Sequence, residues 1–205
     1  MKTFEKIFWI IFVIGIIFKL KLWPFGATFI TISLFPLYFF YLFFGFAFFN
    51  KIKLRNIFKK DSYKEISVLR IIGSIGAGIG LSAICIGILF KLMFWPEGDL
   101  RLYAGLIPTF TIAIIALVKF FRSKSDFYKP ILLRITIIGA LGLPLCFVSD
   151  LEIVKFEYRN YPDYVKAYEI YLEDPQNEEA NKQLEKAYNR VRLGEEYEMF
   201  MQDYK

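Results

Sequence analysis

Histidine is absent from the chain, which removes the commonest metal ligand and the usual general base near neutral pH. Cysteine is nearly absent: Cys85 and Cys146 both lie inside apolar runs, so they say nothing of redox compartment and read as packed thiols rather than a disulfide. Without histidine, no serine or cysteine has the usual activating base. No glycine-rich phosphate loop joins a strand to a helix. The run Gly73-Ser74-Ile75-Gly76-Ala77-Gly78-Ile79-Gly80 superficially matches a dinucleotide fingerprint, but it sits inside an uncharged stretch and is assigned to packing. Acidic residues are scarce in the apolar part: residues 1–149 hold 6 Asp and Glu against 18 Lys and Arg, whereas residues 150–205 hold 14 against 8. No Asp or Glu falls within the apolar runs, so direct coupling to a proton gradient is not expected. The chain reads as non-enzymatic, with no cofactor and no metal.

What is abundant is apolar surface. The 205 residues are 56% hydrophobic and 20% aromatic, with 24 phenylalanines and a mean hydropathy of +0.42. A soluble core of that size cannot hide so much, so lipid is the expected solvent. A bilayer core of about 30 Å needs roughly 20 helical residues. That length selects five segments: 7–22, the uncharged run 22–49 after its Trp23-Pro24 break, 71–90, 102–118, and a weaker fifth of about 131–148 that carries Arg134 and Pro144. Met1-Lys2-Thr3-Phe4-Glu5-Lys6 and the apolar run behind it look like a signal peptide without a cleavage site, and read as a retained anchor.

The expected fold is all-α. Residues 1–149 form a multi-pass transmembrane helical bundle of four or five spans, and residues 150–205 a small helical soluble tail. Fourteen Lys and Arg near the membrane lie in the N-terminus, the 50–70 loop and the 119–134 loop, against Lys19, Lys21, Lys91 and Arg101 at the opposite turns. The positive-inside rule then predicts a cell inner-membrane protein with a cytoplasmic N-terminus. The tail is extracytoplasmic if the fifth segment spans, and cytoplasmic if it does not.

The most specific feature is a duplication. Shifted by 72 residues, the segment 15–36 matches 87–108 at 10 of 22 positions, including Trp23 with Trp95, Pro24 with Pro96 and Gly26 with Gly98. The chain therefore reads as two repeated hairpins, about 7–49 and 71–121. Tryptophan marks the headgroup level and proline stops the incoming helix. Glycine is expected to allow the reversal. Lys19 and Lys91, one helical turn earlier, are expected to snorkel to the interface as boundary markers; the sharper reading has them line a polar path or hold an anion.

In the third segment, Gly73 with Ala77, Gly76 with Gly80, and Ala83 with Gly87 give small-xxx-small spacings for close helix packing, within the chain or in a homo-oligomer. Arg70 and Arg134 read as cytoplasmic-end anchors. Lys51, Lys53, Arg55, Lys59 and Lys60 alternate with apolar residues. This pattern fits contact with anionic lipid or a protein partner, and direct nucleic-acid binding is not expected. In the tail, Pro162 starts a helix, Asp174 is the expected N-cap of a second ending near Gly194, and a third is expected at 195–203. Its acidic clusters read as a solvated face.

The twice-occurring Phe-Lys-Leu-x-x-Trp-Pro-x-Gly turn, Phe18 to Gly26 and Phe90 to Gly98, resembles the membrane hairpin of the gliding-motility motor subunit L and its small relatives. By position Lys19 and Lys91 match the family lysine. Leu22 and Phe94 stand where that family carries histidine, and Tyr41 and Ala113 where the motor subunit carries glutamate, departures that speak against the motor activity. Tyr168 to Tyr188 is similar to one helix–turn–helix junction of a tetratricopeptide repeat. By architecture alone, the chain is similar to the multi-pass accessory proteins of type VI-B CRISPR loci. That likeness implies an accessory protein modulating an RNA-targeting effector nuclease; the alternative is an oligomeric ion-channel or motor-like subunit.

Overall fold

Apolar runs that cannot bond their backbone to lipid must close their hydrogen bonds internally, and helices do so along their length, leaving only the end groups to be met elsewhere. The computed structural model describes residues 1–193 and contains eight α-helices and no strand among them. They are α1 (Lys2–Leu20), α2 (Gly26–Phe49), α3 (Val68–Leu92), α4 (Gly98–Ser123), α5 (Tyr128–Leu145), α6 (Asp150–Glu157), α7 (Pro162–Glu173) and α8 (Glu178–Leu193). Short 3-10 turns at Leu54–Asn56 and Lys60–Tyr63 fold the loop between α2 and α3. The chain divides into two units, Met1–Phe147 and Val148–Lys205.

In the first unit, α2, α3, α4 and α5 are long and apolar enough to cross a membrane, which makes this a multi-pass membrane protein. The helix that falls short is α1, because Lys2, Glu5, Lys6 and Lys19 all lie within its 19 residues. The third and fourth spans run further than the uncharged stretches foretold. Helical bonding continues through Arg70, Lys91, Arg101 and Lys119, giving 25 and 26 residues. At 1.5 Å per residue that is about 38 Å, more than the hydrocarbon thickness, so both helices reach into the headgroups or tilt.

α3 is the central helix, packed on α2, α4 and α5, while α1 packs chiefly on α2. Leu81, Ile84, Cys85, Ile88 and Leu89 of α3 are buried against Ile30, Leu34, Leu37 and Tyr41 of α2 and Leu102 of α4. The opposite face of α4, with Ile107, Phe110, Ile114 and Phe121, stays exposed. In water such a stripe would drive aggregation; in a bilayer it is the lipid-facing side.

The second unit carries a helix that the tail's apolar spacing did not suggest. α6 starts at a capping box: the Ser149 hydroxyl accepts from the Glu152 N–H, and the Glu152 carboxylate accepts from the Ser149 N–H at 2.8 Å. The Ser-Asp-Leu-Glu spacing was the available signal. α7 begins with Pro162 at its first turn. The N-cap of α8 is Asn177 rather than Asp174. Its side-chain oxygen accepts from the N–H groups of Glu179 and Ala180, and Asp174 instead closes a turn onto Gln176. Gly194 and the helix expected at 195–203 lie outside the described residues.

Tyr158, Tyr164, Tyr168 and Tyr188 pack ring on ring, and the first three are buried. Burial is the main cause that raises all three of those phenols, Tyr168 to about 12, with nearby Glu157, Asp150 and the other tyrosines adding to it. A phenol in the unfolded chain ionises near pH 10, so above that pH the unfolded state sheds its protons first. Stability of this unit is therefore complete below pH 10 and falls as the pH climbs toward the folded values. At pH 11 each phenol removes roughly 1 kcal/mol, about 3 kcal/mol together. Pulse proteolysis of the full-length protein in detergent should cut within 150–193 much faster at pH 11 than at pH 8. The triple Tyr-to-Phe variant at 158, 164 and 168 should resist, and equal alkaline sensitivity in it would refute the assignment.

Candidate functional site

The two hairpins turn at the same end of the membrane unit, and their backbone hydrogen bonds are duplicated one for one. The Trp23 N–H donates to the Phe18 carbonyl and the Leu22 N–H to Lys19; 72 residues on, Trp95 donates to Phe90 and Phe94 to Lys91. This is the paired-bond helix ending that usually places glycine in the left-handed position. Here Leu22 (φ 53°) and Phe94 (φ 54°) occupy it, and Phe25 (φ 70°) and Glu97 (φ 65°) repeat the conformation just before the returning helix. The reversal is thus made by non-glycine residues, correcting the expectation for Gly26 and Gly98. Those glycines serve close approach: a Cβ on Gly26 would stand 2.6 Å from the Lys19 nitrogen, and one on Gly98 3.0 Å from that of Lys91. Trp23 and Trp95 remain exposed, each edge-on to the phenylalanine one turn earlier.

The two turn lysines differ. Lys19 is half-buried, its ammonium 5.0 Å from the centre of the Phe94 ring in the other hairpin. Lys91 is 1% exposed and donates to the Asp99 carboxylate at 2.6 Å. A fully enclosed ammonium cannot snorkel freely, and its charge is met by a partner on α4. Both hairpins also cross tightly: a Cβ on Gly15 would meet the Ile30 nitrogen at 2.8 Å, and one on Gly87 the equivalent Leu102 nitrogen at 2.8 Å.

The small-residue stripe of α3 divides between neighbours. Gly76, Gly80 and Gly87 face Ile112, Thr109 and Leu102 of α4, and buried Ala77 belongs to the core. Ala83 is half-buried and its backbone touches Gly105, a contact the stripe alone did not reveal. Gly73 has open space around its Cβ position and makes no packing contact there. The tightest link between the hairpins is Gly78 against Gly45, where an added Cβ would stand 2.6 Å from the Tyr41 carbonyl oxygen.

The opposite, basic end holds a polar node that sequence reasoning missed. Glu5, in the first turn of α1, is buried and accepts from Tyr41 of α2 at 2.5 Å. Arg134 of α5 grips the same carboxylate side-on, Nε to Oε1 at 2.6 Å and Nη2 to Oε2 at 2.5 Å, with its guanidinium 4.5 Å from the centre of the Phe48 ring. Arg134 is therefore the partner of a buried acid rather than a headgroup anchor. Tyr41 lies eight residues before the end of α2, about 12 Å along the helix. No spacing rule could join residues 129 apart; the only available signal was an acid placed beside an apolar run.

The same end carries the basic loop. Lys51, Lys53, Arg55, Lys59 and Lys60 are all exposed, and Phe58 among them is 97% exposed. Asn50 ties the loop to the bundle by donating to Ser74 at 2.8 Å. The Arg70 guanidinium stacks on the Phe127 ring at 4.1 Å. Beside it, a hydrogen bond from Lys129 holds the Asp126 carboxyl below its usual range, with a smaller pull from Lys51. α5 starts at this end. It finishes at the other, where the Tyr103 hydroxyl donates to the Cys146 carbonyl at 3.1 Å. In comparisons with known proteins, no family model, no curated protein and no solved structure matches this chain.

Proposed function

We propose that this is a non-enzymatic accessory protein of the cell inner membrane that acts through a cytoplasmic protein partner. The observation that carries the reading is the concentration of exposed cations and the fully exposed Phe58 on one loop, at the end where the N-terminus also lies. The positive-inside rule puts that end in the cytoplasm. With α5 running the height of the bundle, the chain then leaves the membrane on the far side. The 50–65 loop and the short α4–α5 connection at 124–127, rather than the tail, are left to meet the partner. On the architectural likeness to type VI-B accessory proteins, the partner we put forward is an RNA-targeting effector nuclease. Pull-down of full-length protein from native membranes should recover a stoichiometric soluble protein. Its recovery should fall at least tenfold when Arg55, Lys59 and Lys60 are changed to Glu. A reporter at residue 205 that reads cytoplasmic, or a pull-down that recovers no soluble protein, would overturn this.

A second reading, a channel or motor-like subunit, is favoured by one feature: the buried carboxylate of Glu5, since ionisable groups inside a membrane bundle often mark ion or proton paths. Purified protein in liposomes would then conduct ions, and Glu5→Gln would abolish the current.

A further inference from the structure

The cations of the basic end stand above an apolar groove. A cavity of about 370 Å³ at the basic end is lined by Lys2, Lys51 and Lys53 together with Met1 and Leu54. Met1 and Leu54 also line a second cavity of about 400 Å³, whose wall is the aromatic face of α2: Phe35, Pro36, Phe39 and Phe44. The two share Met1 and Leu54, so the cationic cavity borders directly on the apolar one. Each volume is within the range of small-ligand pockets. Among the described residues, no carboxylate lies in an ion pair with Lys2, Lys51 or Lys53.

Lys51 can be tested without disturbing the fold. It ends α2 in the left-handed conformation, φ 59°, with its N–H bonded to the Phe48 carbonyl and the Ile52 N–H to Ala47. Glycine is the unstrained choice there. Leu22 and Phe94 end α1 and α3 with the same bond pair, so the conformation serves the helix end, and the position accepts glycine without strain.

We propose that this site holds one anionic phospholipid, its headgroup phosphate between the ammonium groups of Lys2, Lys51 and Lys53 and one acyl chain along the Phe35–Phe39–Phe44 face. The occupant is a lipid rather than a free anion because the cationic cavity borders on a wall of phenylalanines that a hydrocarbon tail would cover. The proposal rests on membrane residence and not on the partner reading, which the pull-down tests separately. Opposite charge within a few ångströms supplies the headgroup preference, and each basic residue near an anionic lipid contributes about fivefold in affinity, the equivalent of about 1 kcal/mol.

Native mass spectrometry of the full-length protein in detergent provides the test, with phosphatidylglycerol and phosphatidylcholine as probes. One phosphatidylglycerol should be retained per chain, at least tenfold more tightly than phosphatidylcholine. Inorganic phosphate in excess should not displace it. Lys51→Gly relieves the backbone strain, so this variant should fold at least as well and still lose about fivefold in affinity. Changing Lys2 and Lys53 to Ser as well should cost roughly a hundredfold in total, while the Ser variant of Arg55, Lys59 and Lys60, outside the cavity, should bind as the native protein does. Equal retention of phosphatidylcholine, displacement by phosphate, or an equal loss from the Arg55, Lys59 and Lys60 variant would overturn the site.

Discussion

Replacing Arg134 with Met is expected to lower stability by about 3–5 kcal/mol, because it leaves the Glu5 carboxylate buried with only the Tyr41 hydroxyl to meet its charge. In a chain of this size that corresponds to a melting temperature roughly 6–20 °C lower, measured on the purified protein in detergent. The Glu5→Met variant should fall by a similar amount, stranding the guanidinium instead. The informative variant removes the whole node. With Glu5 and Arg134 both changed to Met and Tyr41 to Phe, no polar group is left unsatisfied, so stability should return to near the native value. A triple variant no better than either single one would show that the ion pair itself, and not the unmet charge, holds α1 and α5 to the bundle.

The second large effect is steric. Gly78→Leu drives a side chain into the Tyr41 carbonyl oxygen and the Gly45 Cα, neither of which can yield without moving a helix. Overpacking of this kind typically costs 1–3 kcal/mol, and a backbone obstacle places this case at or above the upper end, about 3 kcal/mol. Gly73→Leu, five residues earlier on the same helix, enters open space and should change the melting temperature little. Because both substitutions add the same apolar side chain to α3, the difference between them isolates the α2–α3 crossing. If the two variants melted alike, the crossing would not be the close contact described.

The contrast between Gly73 and Gly78 shows how far sequence reading reached. The long apolar helices, the two hairpins and their shared end were legible because they follow from local quantities: uncharged length, the tryptophan-proline stop and an exact repeat distance. The spacing of small residues also found the right helix. It did not say which glycines touch a neighbour, since any stripe has several faces and only the partner's position selects one. The turn was read one step wrongly for a related reason. Glycine was credited with the reversal, but a pair of helix-end hydrogen bonds holds Leu22 and Phe94 in the left-handed region, and the glycine is needed by the helix opposite. Glu5 was hidden altogether. It lies outside every uncharged run, and its value comes from Arg134, which pattern reading had placed at the headgroups.

The ion pairs at the turns bear on how the chain enters the membrane. If the basic end faces the cytoplasm, as proposed, each hairpin tip must be carried across during biogenesis. Between α3 and α4 the tip is electroneutral, since Lys91 pairs with Asp99 and Arg101 with Glu97. Translocating it does no net work against an inside-negative potential. The tip between α1 and α2 carries Lys19 and Lys21 with no acid in its sequence. Its export opposes the field by about 2.3 kcal/mol per charge for each 100 mV. The two copies of one hairpin thus face different electrical barriers to insertion, and the amino-terminal copy faces the higher one.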